Sequence, residues 1–322
     1  MKSKIKLSTA IQQLLRCAIC KAELELVGEQ FRCTNPDCSN FFPIINGIPI
    51  LINEDSSIFS VDDFIHQRNT FLKLSPESKI RKTLKRLMPD IGKNVKGKKN
   101  YDKFAKLLLA QSNTPKVLVL GGGILGQGLE AILSYPAIEV VESDISLGPR
   151  TILIGDAHDI PFENNSFDGV IAQAVLEHVV DPWRCVEEIY RVLKKDGLVY
   201  AETPFMQQVH GGRYDFTRFT HLGQRRLFRK FKEIDSGAVV GPATALAWSY
   251  KYFLLSFTKL KQFRSFINIF ASITSFYFKY FDYYLIDRPG TFDAASGYYF
   301  IGQKSNQILS DQELIKLYRG CL

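Results

Sequence analysis

Four of the six cysteines in this 322-residue chain fall within its first 38 positions. They read Cys17-Ala-Ile-Cys20, then twelve residues, then Cys33-Thr-Asn-Pro-Asp-Cys38. Two closely spaced thiol pairs on tight turns can gather four soft ligands around one tetrahedral cation such as zinc. With every position taken by sulfur there is no opening for water or substrate, so such a metal would be structural. A disulfide framework would need an oxidising compartment. A redox CxxC would need βαβ surroundings, which Cys17 and Cys20 lack. Cys185 and Cys321 stand apart and read as inert thiols.

The second chemical signal is "VLVLGGGILGQG", an apolar strand running through a glycine turn into a helix start. Gly121, Gly123 and Gly126 let the backbone turn tightly and come close to a ligand at the helix N-terminus. Asp144 closes the next strand about twenty residues on, where its carboxylate can accept from two ribose hydroxyls. By itself the pattern suits a nicotinamide dinucleotide as well as a methyl donor.

The elements that must position these groups follow from periodicity. Short apolar runs alternating with helical patterns argue for βαβ units and a parallel sheet. Strands are expected at Lys116 to Leu120, Glu139 to Ser143, Thr151 to Ile154, Phe167 to Ala172 and Leu198 to Glu202. Helices are expected at Gln127 to Ser134 and Pro182 to Leu193, the second capped by Asp181 and followed by Gly197. "KEIDSGAVV" and "SGYYFIGQK" read as a later antiparallel extension.

Two resemblances build on these residues. "LLRCAICKAELEL" and "FRCTNPDCSNFFPIINGIPILI", residues 10–52, resemble the small zinc-ribbon domain that elsewhere is a free-standing activator of tRNA and protein methyltransferases. The Cys33 to Cys38 gap is wider than is common there, which leaves the loop shape open. The resemblance makes "FFPIINGIPILI" a docking strand and turn. Residues 115–231, including "GDAHDIPFENNSFDGVIAQAVLEHVVDPWRCVEEIYRVLKKDGLVYAETP", resemble the class I S-adenosylmethionine-dependent methyltransferases, in the branch acting on small molecules and glycans.

This second resemblance implies an α/β fold, a Rossmann-like seven-stranded methyltransferase sheet with helices on both faces, with the small zinc ribbon N-terminal to it. It implies that Asp144 holds the ribose, that Asp156 with Ala157 meets the adenine edge, and that Gln173 lies beside the methionine end. It favours the sulfonium donor over NAD. Two positions depart from the family pattern. Val119 stands where an acidic residue usually holds the donor's ammonium, and Leu125 stands where a further glycine is common.

The acceptor side is expected in "PFMQQVHGGRYDFTRFTHLGQRRLF". His210 and Asp215 are base candidates, with Tyr214 and Arg218 orienting the acceptor. The alternative is an Asp215–Arg218 ion pair that only shapes the loop. His178 is either a site group or a packed loop histidine. The expected activity is methyl transfer to a small molecule, sugar or lipid-linked glycan by in-line displacement. An RNA or protein methyltransferase, or a binding protein with a decayed donor pocket, is the alternative.

Composition bounds the rest. The formal charge is +8, compatible with RNA, anionic lipid or acidic small molecules as partners. The basic N-terminus lacks an apolar core and cleavage site, so the chain is expected in the cytoplasm, with contact to the inner membrane face through its aromatic helices as the alternative to a wholly free enzyme. The expected units are the ribbon at 10–52, a basic, mainly helical connector at 53–114, the methyltransferase domain at 115–304, and a tail at 305–322. The connector's basic segment, Lys79 to Lys106, reads as an RNA contact or a solvated helical face. An aromatic-rich helical insertion at about 243–286 carries Phe266, Ile269, Phe270, Ile273, Phe276, Tyr277, Tyr280 and Tyr284 at helical spacing. Its stripe reads as a buried helix or lid, or else as a membrane-surface face, because charges interrupt it before about 18 uncharged residues accumulate.

Overall fold

The computed structural model describes residues 4–71 and 88–321. Runs such as Lys116–Leu120 and Phe167–Gln173 are buried almost throughout, as parallel strands covered on both faces must be. The strands are β1 Leu24–Val27, β2 Gln30–Cys33, β3 Phe41–Ile45, β4 Ile48–Leu51, β5 Lys116–Leu120, β6 Glu139–Asp144, β7 Leu153–Gly155, β8 Phe167–Gln173, β9 Leu193–Pro204, β10 Phe231–Val240 and β11 Gly297–Lys304. From β7 the sheet runs β7-β6-β5-β8-β9 with parallel pairing, and antiparallel β11 then sits between β9 and β10. The order reverses at β5, between β6 and β8, so the crevice beyond those strand ends is where an α/β sheet takes a ligand.

The helix Pro182–Val192 starts as expected, with Asp181 accepting from the Arg184 amide at 3.1 Å. It passes directly into β9, so Gly197 lies inside a long strand and does not mark a helix stop. The helix Gly97–Gln111 buries Tyr101, Phe104 and Leu108 against Val117, Ile171 and Tyr200. That face belongs to the packing of the central sheet, while Lys98, Lys99 and Lys106 lie on the exposed face of the same helix. Residues 79–87 of the basic segment lie outside the described residues.

The larger correction concerns the N-terminal unit. Strands β1 to β4 form an antiparallel meander, and β4 pairs in parallel with β7 through Ile50 with Ile154 and Leu51 with Gly155. The sheet therefore has eleven strands in continuous order, not seven beside a separate ribbon. The seven anticipated strands, β5 to β11, make up the rest of it. An uncovered β7 would expose a row of unpaired amides and carbonyls, and β4 occupies that edge. The junction is reinforced where the Arg16 amide donates to the Pro161 carbonyl at 3.0 Å and the Glu163 amide to the Leu14 carbonyl at 2.9 Å. Leu15, Phe31, Phe42 and Leu51 share one apolar cluster with Leu153, Phe162 and Ile189.

The aromatic insertion is helical over Pro242–Leu255, Lys261–Ser275 and Asp282–Leu285. The stripe does not face inward. Helix Lys261–Ser275 buries only its small residues Ala271, Ser272 and Ser275, while Phe266, Phe270, Ile273 and Tyr284 are exposed. Small side chains allow close approach to the neighbouring helix, and the large ones are left outside. Among the described residues, no helix is long and apolar enough to cross a membrane.

If the meander is part of the main sheet, its loss should be felt globally. Ile50 is fully buried, so Ile50→Ala is expected to cost about 2–5 kcal/mol. Urea unfolding followed by tryptophan fluorescence, which reports Trp183 and Trp248, should shift as one transition. An unchanged transition would mean that the N-terminal strands unfold independently.

Candidate active site and cysteine cluster

Two cavities open beyond the carboxyl ends of β5, β6 and β8. The smaller, about 130 Å³, is lined by Asp144, Asp156, Ala157 and His178, together with Ile58, Phe59 and Phe71 from the segment after β4. The larger, about 380 Å³, is lined by Val119, Gln173, Glu177, Glu202, His210 and, from the aromatic insertion, Thr244 and Trp248. Both share Leu120, Gly121, Ile124 and Ala174, so they meet at the glycine turn.

The turn's shape explains its glycines. Gly121 has φ +68°, a left-handed conformation that costs other residues. A Cβ at Gly126 would lie 1.8 Å from Gln173 Oε1. The Gly123 amide donates to Asp144 Oδ2 at 2.8 Å. Burial pushes the Asp144 carboxyl up to about 6, against the backbone amides that favour its ionised form.

Asp156 both caps a turn and faces the smaller cavity. It accepts from the His158 amide at 3.0 Å and from Ser57 Oγ at 2.5 Å. The Asp181 amide donates to His158 Nε2 at 3.0 Å, so the ring's Nδ1 carries the proton given to Asp156 at 2.6 Å. Despite desolvation, which opposes it, the bonds from His158 and Ser57 hold Asp156 below the usual carboxylate range.

In the larger cavity Val119 offers no carboxyl group, but Glu202 does. This buried carboxylate accepts from Asn94 Nδ2 at 3.0 Å, from Gln173 Nε2 at 2.9 Å and from the Tyr200 hydroxyl. All these partners are neutral, and burial raises its pKa. Gln173 Oε1 is itself buried without a hydrogen-bond partner. The pair thus offers a carboxyl group and one spare acceptor to a cationic group. Glu202 was missed in the sequence because it ends an apolar strand with no motif of its own.

The acceptor-loop candidates separate. His210 lines the larger cavity, and the Glu177 carboxylate beside it raises its pKa. Asp215 and Arg218 do not line either cavity. Asp215 accepts from Arg218 Nη2 at 3.0 Å and from the His210 and Gly211 amides at 2.8 and 3.0 Å. Although desolvation works against it, Arg218 and these amides hold its carboxyl far below the usual range, which makes Asp215 a poor base. Arg218 donates to the Gln207 carbonyl at 2.8 Å. Both residues therefore brace the loop. Tyr214 packs beside Phe59 at 5.4 Å between ring centroids and receives a bond from Arg213. Glu177 and His178, from "LEHV", are brought to the site instead, and the pairing of acid and base in that motif was the available signal.

The cysteine quartet converges. Cys17 Sγ and Cys38 Sγ are 3.7 Å apart, Cys20 Sγ and Cys33 Sγ 3.4 Å, and all four sulfurs lie within 4.8 Å of one another with no disulfide among them. Tetrahedral zinc with bonds of about 2.3 Å separates its sulfurs by about 3.8 Å. The donor set fits such an ion. Asn40 Nδ2 donates to Cys38 Sγ at 3.1 Å, as an outer-shell partner would.

Residues 122–201 match the family described as "Methyltransferase domain". The chain is similar to demethylmenaquinone methyltransferase of Symbiobacterium thermophilum, 38% identical over 94 residues, 27% of this chain and 38% of that protein. It is also similar to 2-methyl-6-phytyl-1,4-hydroquinone methyltransferase 1, chloroplastic, of Oryza sativa subsp. japonica, 34% identical over 61 residues, 19% of this chain and 18% of that protein. The matches thus span well under half the length of these relatives. Haemonchus contortus phosphoethanolamine N-methyltransferase 2 in complex with S-adenosyl-L-methionine aligns at 16% identity over 63% of this chain and 53% of that one, with a TM-score of 0.38. The residues that match the methyltransferase domain run from the glycine turn into β9.

Asp144 supplies a test that needs no ligand. Its folded pKa of about 6 lies above the ordinary 3.8, so the folded chain holds the proton more tightly. That contribution is full below about 3.8 and lost as pH rises through about 6. Asp144→Asn is expected to stabilise the protein by roughly 1–3 kcal/mol at pH 7.5 relative to its effect at pH 4. Melting curves at both pH values measure this, and equal effects at the two would refute the burial argument.

Proposed function

We propose that this chain is an S-adenosylmethionine-dependent methyltransferase acting on a small-molecule acceptor that bears an apolar tail, a lipid-linked glycan or a prenylated ring being the classes that suit it. The observation that carries the reading is the pair of cavities meeting at Gly121 and Ala174. One has the carboxylates a nucleoside needs, and the other has the groups a cationic amino-acid moiety and an acceptor need. In this reading Asp144 accepts from the ribose hydroxyls, Ala157 and Asp156 border the adenine, and Gly121, Gly123 and Gly126 let the donor approach the backbone. Gln173 and Glu202 receive the ammonium, so that Glu202 takes over the charge missing at Val119. The donor supplies an electrophilic methyl group. The chain's own work is to align it with the acceptor, exclude water and place His210 beside the incoming nucleophile.

The apolar-tail assignment rests on the insertion. Its helix Pro242–Leu255 presents Thr244 and Trp248 to the larger cavity and exposes Leu246 and Phe253 elsewhere, with Phe266 and Phe270 on the next helix. Lys259, Lys261 and Arg264 flank those aromatics, a combination that suits an anionic bilayer surface. The quinone and hydroquinone names of the similar proteins are compatible with such an acceptor. The same reading places the enzyme in the cytoplasm, at the inner face of the membrane. The cysteine quartet is proposed to hold structural zinc in a ribbon that covers β7 and carries Ile58 and Phe59 to the donor pocket.

Calorimetry with S-adenosylmethionine tests the enzyme reading. Binding is expected in the wild type and is expected to weaken about ten- to a hundredfold in Glu202→Gln. No heat with either the donor or S-adenosylhomocysteine at millimolar concentration would leave a binding protein with a decayed pocket. Sedimentation with phosphatidylglycerol vesicles should be lost in Phe266→Asp/Phe270→Asp, and equal sedimentation of both proteins would remove the membrane assignment. Elemental analysis is expected to find one zinc per chain, lost in Cys33→Ser together with thermal stability. A metal-free wild type of unchanged stability would reject the cysteine site.

A further inference from the structure

Glu177 is fully buried, yet neither carboxylate oxygen has a hydrogen-bond partner. A buried carboxylate left so is costly unless something cationic meets it. Two imidazoles do approach, with His178 Nε2 and His210 Nε2 each 3.7 Å from Glu177 Oε1. That is beyond hydrogen-bond length.

The far side of each ring defines what these nitrogens present. His178 Nδ1 lies 2.7 Å from the Tyr214 carbonyl. His210 Nδ1 lies 3.3 Å from the Gln208 carbonyl and 3.6 Å from Asp215 Oδ2. Carbonyl and carboxylate oxygens only accept, so Nδ1 is the protonated nitrogen in both rings. In the neutral tautomer both Nε2 lone pairs then point at a bare carboxylate. Lone pairs and negative charge turned toward one another repel, and either a proton on His210 or a cation held among the three groups relieves this.

We infer that Glu177, His178 and His210 form a second metal site, distinct from the cysteine cluster, for a divalent first-row transition ion. Glu177 Oε1 lies 3.7 Å from each Nε2, a spacing that metal–nitrogen and metal–oxygen bonds of about 2.0–2.2 Å can span, and the three ligand atoms lie within 4.8 Å of one another. Nδ1–H donation to a carbonyl or carboxylate is the usual outer-shell support of a ligating histidine. Two imidazoles and one carboxylate leave coordination positions open, and these face the larger cavity, which Glu177 and His210 line, beside the junction marked by His178 on the smaller one.

The site deepens the proposed function. With His210 a ligand and no longer a base, a cation here holds an acceptor through oxygen and lowers the pKa of that hydroxyl, whose proton passes to bulk solvent as the acceptor binds and before water is excluded. The substrate class becomes an oxygen nucleophile, such as a phenol, enol or sugar hydroxyl, and not an amine. The methyltransferase reading enters only in the identity of that oxygen. The ion itself is independent of it.

Full-length protein stripped with chelator and titrated with Mn²⁺, followed by the electron paramagnetic resonance of the free ion, tests the site. Thiolate clusters take manganese poorly. One bound Mn²⁺ per chain is expected, retained in Cys33→Ser and lost in Glu177→Gln and His210→Ala. His210 is surface-accessible, so His210→Ala guards against a folding failure of the Glu177 variant, and circular dichroism of both accompanies the titration. Absence of Mn²⁺ uptake, or uptake unchanged in both variants, overturns the inference and leaves two protonated histidines as the counter-charge of Glu177. Calorimetry with S-adenosylmethionine on the same samples separates the two readings. Donor binding without Mn²⁺ defeats only the metal site, and Mn²⁺ binding without donor defeats only the methyltransferase assignment.

Discussion

The parallel seam between β4 and β7 is the constraint on which the rest depends. Two residue pairs, Ile50 with Ile154 and Leu51 with Gly155, determine where the chain emerges after β4. From there Asn53 Nδ2 reaches Asp159 Oδ2 at 3.3 Å and Ser57 reaches Asp156. Ile58 and Phe59 then become a wall of the smaller cavity. A register slip at this seam would move every one of those groups, since alternate residues of a strand face opposite sides. The four cysteines bring the turn before β1 against the loop after β2, at the base of the meander whose last strand makes the seam.

Much of the central sheet was legible because parallel strands buried on both faces appear as unbroken apolar runs. "KVLVL" and "FDGVIAQ" could scarcely be anything else, and Asp181-Pro182 marked a helix start. Boundaries moved where no breaker stands. The helix ending at Val192 gives way at once to β9. Helix Gln127 to Ser134 shrinks to Glu130–Leu133 because the glycine turn occupies the residues before it. The joining of meander and sheet was not legible, since pairing partners leave no periodicity. The insertion misled for a different reason: an apolar stripe has the same spacing whether it faces a core or faces outward. Only the position of Ala271, Ser272 and Ser275 on the opposite face discloses which.

The site is also where the fold departs from its own rules. Asp144, Glu177 and Glu202 are all buried carboxylates, and among the described residues none is ion-paired with a lysine or arginine. Elsewhere some buried acids are ion-paired, as Asp168 with Lys194 at 2.8 Å and Glu142 with Arg150 at 2.6 Å, and buried Asp282 accepts from the Thr244 hydroxyl and two backbone amides. Desolvated charge without compensation destabilises a resting protein, and its concentration at the reversal point of the sheet is how a fold stores affinity for cationic or hydroxyl-rich ligands. Asp215, tied down by Arg218, shows the opposite treatment of a carboxylate only a few residues from His210.

A consequence follows from the seam being intramolecular. When a capping strand and the sheet it completes belong to different molecules, the fraction joined depends on how much of each is present. When one backbone carries both, the partner strand is present at an effective concentration in the millimolar range whatever the dilution. The wall formed by Ile58 and Phe59 is therefore not titrated away at low abundance. Pocket integrity in this protein is a property of each single chain, insensitive to expression level and to competition from other sheet edges.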